Sequence, residues 1–413
     1  MWAIFKREFK AYFQSVIGWV FLAAIMALYG LYFFVYNLRS GYPYISYSLS
    51  AIAFIMLIAV PILAMRSLAE EKKSKTDQLI LTAPISVGKV VVGKYLAMVA
   101  VFAIDMLVVA VTPLILSIFG TIPLAESYVA VIGFFLYGAA CIAIGMFISS
   151  ITESQVIAAV LSFAALFLGY MMSNITGLIS SSGNLLTKIL GCYDIYTPLE
   201  TFMNGCFDLT GFVYFLTIIC LFLFLTGQSI QKRRWSSNTK KISLGAFHTG
   251  FVAAAIAVAV ILNLAVQELP ATITSIDATS TKMYSLTDDT KEYLKNLDTD
   301  VTIYVLASES SADTTLGETL ERYEGLSDHI KVVYKNPSKY PTFYQQYTDS
   351  SPTSNSLIVV SEERSRVVDY SDIYEYSYDY TTYSQSVDGY DAEGQLTSAI
   401  QYVTMDSDEL PVI

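Results

Sequence analysis

Seven stretches of this chain are long and apolar enough to cross a hydrocarbon core, and no other feature narrows its architecture as much. A crossing takes about 20 helical residues, with a range of about 17–25. The candidate spans lie near residues 16–36, 49–65, 95–119, 127–148, 154–173, 212–228 and 247–266. With 54% hydrophobic and 15% charged residues in 413, a single water-soluble domain is excluded. Pro61 and Pro113 fall in the second and third spans. Neighbouring helices can re-satisfy the carbonyls they free, at the cost of a kink. The N-terminus lacks the basic start, short apolar run and small-residue cleavage site of a removable signal, so the first span is expected to remain as an anchor.

Charge divides the chain in two. Residues 1–267 hold 16 Lys+Arg against 10 Asp+Glu, and residues 268–413 hold 9 against 26, a balance of +6 against −17. The acidic part repels nucleic acid and anionic lipid. Positive residues near span ends stay in the cytoplasm. Fourteen of them, in the groups 6–10, 66–94 and 232–241, fall on one side, and only Arg39 and Lys188 fall on the other. The N-terminus is therefore expected inside and the acidic tail outside. Of the four cysteines, Cys192 and Cys206 share one external loop, where a disulfide or two free thiols both fit, and no spacing suggests a zinc or redox site.

Between the second and third spans runs EEKKSKTDQLILTAPIS, Glu70 to Ser86. Residues from Ser67 to Leu81 include good helix formers and no Gly or Pro, which predicts a short helix across the membrane face, ended by Pro84. A solvated loop whose lysines hold topology through anionic lipid is the plainer reading.

Four stretches carry a resemblance. RSLAEEKKSKTDQLILTAPISVGKVVVGKYLA, Arg66 to Ala97, resembles the loop after the second span of type 2 ABC export permeases, with Lys75 standing where that family usually has Gly. MWAIFKREFKAYFQSVIGWVF, Met1 to Phe21, resembles their amphipathic N-terminal helix, with Phe5, Phe9 and Phe13 as an apolar stripe. Residues 195–226 with RRW at 233–235 look like the end of a gliding-motility (Gld-type) permease, and residues 276–307 resemble the start of that system's auxiliary protein.

The resemblance implies a polytopic α-helical membrane protein, a six-span ABC exporter permease plus a seventh span, with an extracytoplasmic α/β domain. Its parts would be the permease domain over 1–235, a cytoplasmic linker and seventh helix over 236–270, and an auxiliary domain over 271–413. It further implies that Glu70, Glu71, Lys72, Lys73, Thr76, Leu81 and Pro84 couple the chain to a separate ATPase. The implied assembly is a homodimer with two ATPase subunits in the bacterial cytoplasmic membrane. The chain has no Gly-x-x-x-x-Gly-Lys-Ser/Thr loop, because Gly88-Lys89 and Gly93-Lys94 are followed by Val90 and Tyr95. ATP and Mg are accordingly expected on the partner, and no cofactor or metal is expected on this chain.

Asp105 lies about a third of the way into the third span, where an ionisable group is costly. It reads either as a conduit or gating residue or as a neutral carboxyl held by packing. Gly138, Cys141, Gly145 and Ser149 give the fourth span a small-residue face for close packing, with a substrate path the minority reading.

In the acidic part, strands are predicted at Val301–Leu306, Ile330–Tyr334 and Ser356–Val360, and helices at Gly317–Tyr323, Pro341–Tyr347 and Leu396–Thr404, an alternation that favours a doubly wound sheet. The chain stops at DSDELPVI, where a further strand would begin, so the natural domain is expected to continue. No catalytic constellation is visible there, and His329 is expected on the surface near Asp328. If extended, Tyr370 to Gln385 places Tyr374, Tyr376, Tyr378 and Tyr380 on one face, a glycan- or peptide-binding surface or a half-buried strand.

Three functions fit: an ATP-driven exporter; a complex that moves no cargo and drives the external domain against a cell-envelope partner; and an ATP-independent anchored binding protein. Six spans before the tether are excessive for an anchor.

Overall fold

A computed structural model of the chain describes residues 1–76, 85–179, 185–232, 241–267, 269, 274–279, 285–308, 312–379 and 384–405. Leu81 and Pro84, Tyr380, and the final residues 406–413 lie outside them. The chain divides into two compact units. The first holds Met1–Met172, Cys192–Glu268 and Ala278–Ser280; the second holds Ser173–Gly191, Leu269–Asp277 and Thr281–Ile413.

The first unit is helical. An N-terminal helix α1 (Trp2–Gln14) precedes α2 (Val16–Phe33), which continues into a π-helical turn at Phe34–Arg39. Then come α3 (Ser46–Lys73), α4 (Val87–Leu116), α5 (Leu124–Ile151) and α6 (Gln155–Tyr170). After α7 (Met172–Ile179) and α8 (Leu185–Gly191), the unit resumes with α9 (Thr197–Met203), α10 (Leu209–Lys232) and α11 (Lys241–Gln267). Among the described residues six helices are long and apolar enough to span a membrane. A seventh crossing exists only if α6 and α7, bent by 55° at their junction, count as one broken span. Sixteen residues alone fall just short of the hydrocarbon thickness. Pro61 and Pro113 both lie inside unbroken helices. Cys192 and Cys206 are not bonded to each other.

Helix α5 is the centre of this bundle. Its small-residue face does what the spacing predicts: a β-carbon at Gly145 would lie 2.9 Å from Ala64 Cβ of α3, and one at Gly138 only 2.3 Å from the Phe102 ring of α4. The end of α2 is tied to the start of α3 through buried Asn37, whose amide donates to Tyr42 O at 2.8 Å and whose Oδ1 accepts from Ser48 Oγ at 2.8 Å.

The second unit has its own apolar core. Strands β1 (Val301–Val305), β2 (Ile330–Tyr334), β3 (Leu357–Val360) and β4 (Ser365–Val368) form a sheet in the order β2-β1-β3-β4. Strand β1 pairs parallel with β2, but β3 runs antiparallel to both β1 and β4. The sheet is therefore mixed rather than doubly wound. Only four residues separate β3 from β4, too few for the crossover that a parallel pair needs. Helices α12 (Asp288–Lys295), α13 (Thr314–Leu326) and, after the short α14 (Tyr370–Ile373), α15 (Ala392–Thr404) supply Leu294, Leu320 and Leu396 to the core built on Ile303 and Val359.

The predicted helix over Pro341–Tyr347 is a single 3-10 turn, Phe343–Gln346. The tyrosine run begins in α14 and is extended from Tyr374, as β5 (Tyr374–Asp379) paired with β6 (Ser384–Tyr390). A bulge between Glu375 and Tyr376 interrupts its alternation. His329 Nδ1 lies 2.7 Å from Asp300 Oδ1, so its carboxylate neighbour is Asp300 rather than Asp328.

Candidate functional site

The site grows out of α3. Its apolar run ends at Met65, and nothing in RSLAEEKK breaks a helix, so the same helix continues through Lys73 as a polar arm. The expected separate helix from Ser67 to Leu81 is thus corrected: residues 67–73 prolong the second span, and 77–81 lie outside the described residues. The arm ends in a Schellman-type cap. Thr76 N donates to Glu71 O at 3.0 Å and Lys75 N to Lys72 O at 3.1 Å, with Lys75 in the left-handed region at φ 58°. Glycine is the residue best suited to that conformation.

Three helices meet at the base of the arm. Lys94 enters from α4, and its side chain is only 2% exposed. Its Nζ lies 2.7 Å from Glu71 Oε1 of α3 and 3.1 Å from Glu8 Oε1 of α1, and it donates to Ser67 O at 3.1 Å. An ammonium has three protons to give, and here three acceptors surround it. Arg7 Nη2 sits 2.5 Å from Glu8 Oε1 and 3.5 Å from Glu71 Oε1. Burial opposes ionisation of Glu8, but Lys94 and Arg7 together outweigh it and hold the carboxyl below its ordinary value. Gly93 lets α1 come this close, since a β-carbon there would lie 3.1 Å from Ile4 Cγ2.

A second junction pins the arm to α5. Ser149 Oγ accepts from Leu68 N at 3.2 Å and Ala69 N at 3.1 Å and donates to Met65 O at 3.1 Å. Lys72 Nζ donates to Ser150 O, which also accepts from Ser229 Oγ of α10 at 3.2 Å.

The residues expected to meet a partner therefore divide. Lys73 and Thr76 are exposed, and Glu70 is half-exposed and paired with Arg66 one turn earlier. Glu71 and Lys72 are turned inward, onto Lys94 and Ser150. Asp105 is brought into none of this. It is fully buried in the bundle, and neither carboxyl oxygen has a hydrogen-bond partner among the described residues. Glu8, Lys94 and Ser149 did not emerge as site residues from the sequence. The available signal was Lys94 itself, a lone cation in the apolar run VVVGKYLAMV that needs a counter-charge.

Two families match the chain. Residues 34–227 match the family described as ABC-2 family transporter protein, and residues 280–373 match a domain of unknown function (DUF7088). A comparison with curated proteins gave no match. The second match leaves the Gld-type auxiliary reading without support. The first covers α3 with its polar arm and α4 and α5, and leaves out α1 and α2, so residues 34–227 of this multi-pass membrane protein are similar to an ABC-2 transporter membrane domain, which supports a permease component of an ABC transporter.

Proposed function

We propose that the chain is the permease subunit of an ATP-driven ABC exporter, coupled to a separate ATPase through the loop 66–89 and acting as a homodimer with two ATPase copies. The N-terminus and the polar arm face the cytoplasm in this reading, and ATP and Mg are held by the partner. The carrying observation is the continuity of α3: one helix includes both the apolar span and the charged arm, with Lys94 and Ser149 locking its base to α1, α4 and α5. A switching ATPase can move spans only through an element that does not bend. Exposed Lys73 and Thr76, with half-exposed Glu70, present the contact; Glu71 and Lys72 stiffen it. Asp105 would line or gate the conduit.

The test is to purify the full chain with its ATPase. Lys73→Glu is expected to lower co-purification while leaving the isolated chain folded, and reconstituted vesicles are expected to accumulate labelled lipid or peptide on the far side. Unchanged association would sink the coupling assignment. ATP turnover that requires an external protein partner and moves no cargo would replace export with force transmission to the cell envelope, the alternative that the separately cored second unit favours.

A further inference from the structure

Between α1 and the polar arm of α3 lies a cavity of about 380 Å³. Its walls carry three cations, Arg7, Arg66 and Lys94, and three carboxylates, Glu8, Glu70 and Glu71. Ser67 also lines it, and the Ser67 hydroxyl, on a residue only 6% exposed, has no hydrogen-bond partner among the described residues. A buried hydroxyl left without a partner costs about 1–3 kcal/mol, which a bound group in the cavity can recover.

We propose that this cavity holds the headgroup of a phospholipid carrying both a phosphate and a primary ammonium, the chemistry of phosphatidylethanolamine. Depth points to a lipid. Arg66 directly follows the apolar run of α3, so the cavity opens where hydrocarbon gives way to headgroups. Helix α1 forms one wall, and along it Trp2, Phe5 and Phe9 stack with centroids 4.9 and 5.7 Å apart, the row continuing to a tilted Phe13 at 5.0 Å and edge-on to Trp19 at 5.3 Å. Such a ladder marks a helix that lies in the interface plane.

Charge points to a zwitterion. A purely anionic headgroup would bring no positive charge to three carboxylates, whereas one bearing both charges serves both kinds of wall. The donors are available. Arg66 gives only its Nε to Glu70, and Arg7 gives Nε and Nη2 to Glu8, among the described contacts. Each guanidinium has five N–H groups, so nitrogens remain for a phosphate. Ser67 completes the phosphate shell, and half-exposed Glu70 receives the ammonium. Lys94 is already saturated and keeps the wall in shape.

The test uses the full chain in detergent micelles, with lipid binding followed by native mass spectrometry. Phosphatidylethanolamine is expected to half-saturate at about a tenfold lower concentration than phosphatidylglycerol. Arg66→Gln is expected to abolish that preference and Arg66→Lys to restore part of it, which separates a lost contact from a lost fold. Ser67→Ala should weaken binding about threefold, and Arg39→Gln should leave it unchanged. Equal retention of the two lipids by the unmodified chain would overturn the proposal, as would an unaltered preference in Arg66→Gln. Free phosphoethanolamine displacing the lipid at comparable concentration would assign the site to a soluble ligand and overturn the lipid reading. None of these outcomes depends on whether the arm contacts an ATPase.

Discussion

Lys94 and Glu71 are 23 residues apart in the chain and 2.7 Å apart in space, and this pair, closed by Glu8, joins α1, α3 and α4 where the polar arm begins. Removing one partner of a buried ion pair costs about 3–5 kcal/mol, because the charge left behind stays desolvated. Lys94→Met is expected to destabilise the bundle by about that amount, read as a lowered chemical-denaturation midpoint. Glu71→Lys should be as harmful, since it sets a third cation beside Lys94 and Arg7. A chain carrying either substitution with an unchanged midpoint would show that the pair holds nothing together.

Ser149 inserts its hydroxyl into the hydrogen-bond ladder of α3. Ser149→Ala leaves Leu68 N and Ala69 N without that acceptor, at a cost of about 1–3 kcal/mol. Hydrogen exchange should then quicken at Leu68 and Ala69 before it does elsewhere in α3. Uniform exchange along the helix would count against the pin.

Lys75 occupies a backbone conformation that costs an L-residue about 1–2 kcal/mol. Lys75→Gly is expected to leave stability unchanged or raise it by up to about 1 kcal/mol, and Lys75→Val to lower it. Thermal unfolding of the two variants side by side distinguishes them, and a destabilised glycine variant would contradict the cap.

Asp105 contributes a buried carboxyl that has no hydrogen-bond partner among the described residues. Asp105→Val should therefore raise stability by about 1–3 kcal/mol. If the acid serves a conduit, transport by the reconstituted complex falls in the same variant; a stabler chain with undiminished transport would leave packing as its whole role.

In the second unit, Asp369 caps α14. It accepts from Ser371 N at 3.0 Å and from Thr353 N at 3.1 Å, and although burial pushes the other way, these bonds hold its carboxyl down to about 2. A carboxyl with a lowered folded value contributes stability above its unfolded value, roughly 3.9, and loses it as pH falls toward the folded one. Unfolding of this unit should therefore become easier between about pH 4 and pH 2, and Asp369→Asn should flatten that part of the profile. A variant with the same acid limb would refute the assignment.

What the sequence made legible was whatever local pattern governs. The spans followed from apolar runs, and the small face of α5 from a spacing of three and four that places Gly138 and Gly145 against Phe102 and Ala64. The glycine expected at position 75 now has a physical reason in the cap that Lys75 strains to make. The Lys94 cluster was hidden because its members lie in three helices and only folding brings Glu8 beside a lysine 86 positions later. Strand β4 was missed because SRVV is short and half polar, and without it the antiparallel turn of the sheet could not be foreseen. The arm was read as a separate helix because its change in polarity looked like a boundary, although polarity alone does not end a helix.

That last point bears on leverage. At 1.5 Å per residue, the 28 residues of α3 make a rod about 42 Å long. A tilt of roughly 5° about its midpoint sweeps either tip through roughly 2 Å, more than half the 3.5 Å reach of a hydrogen bond. Small displacements delivered at Lys73 would be felt at Ser48, near the other end of the same helix, without any residue in between changing its conformation.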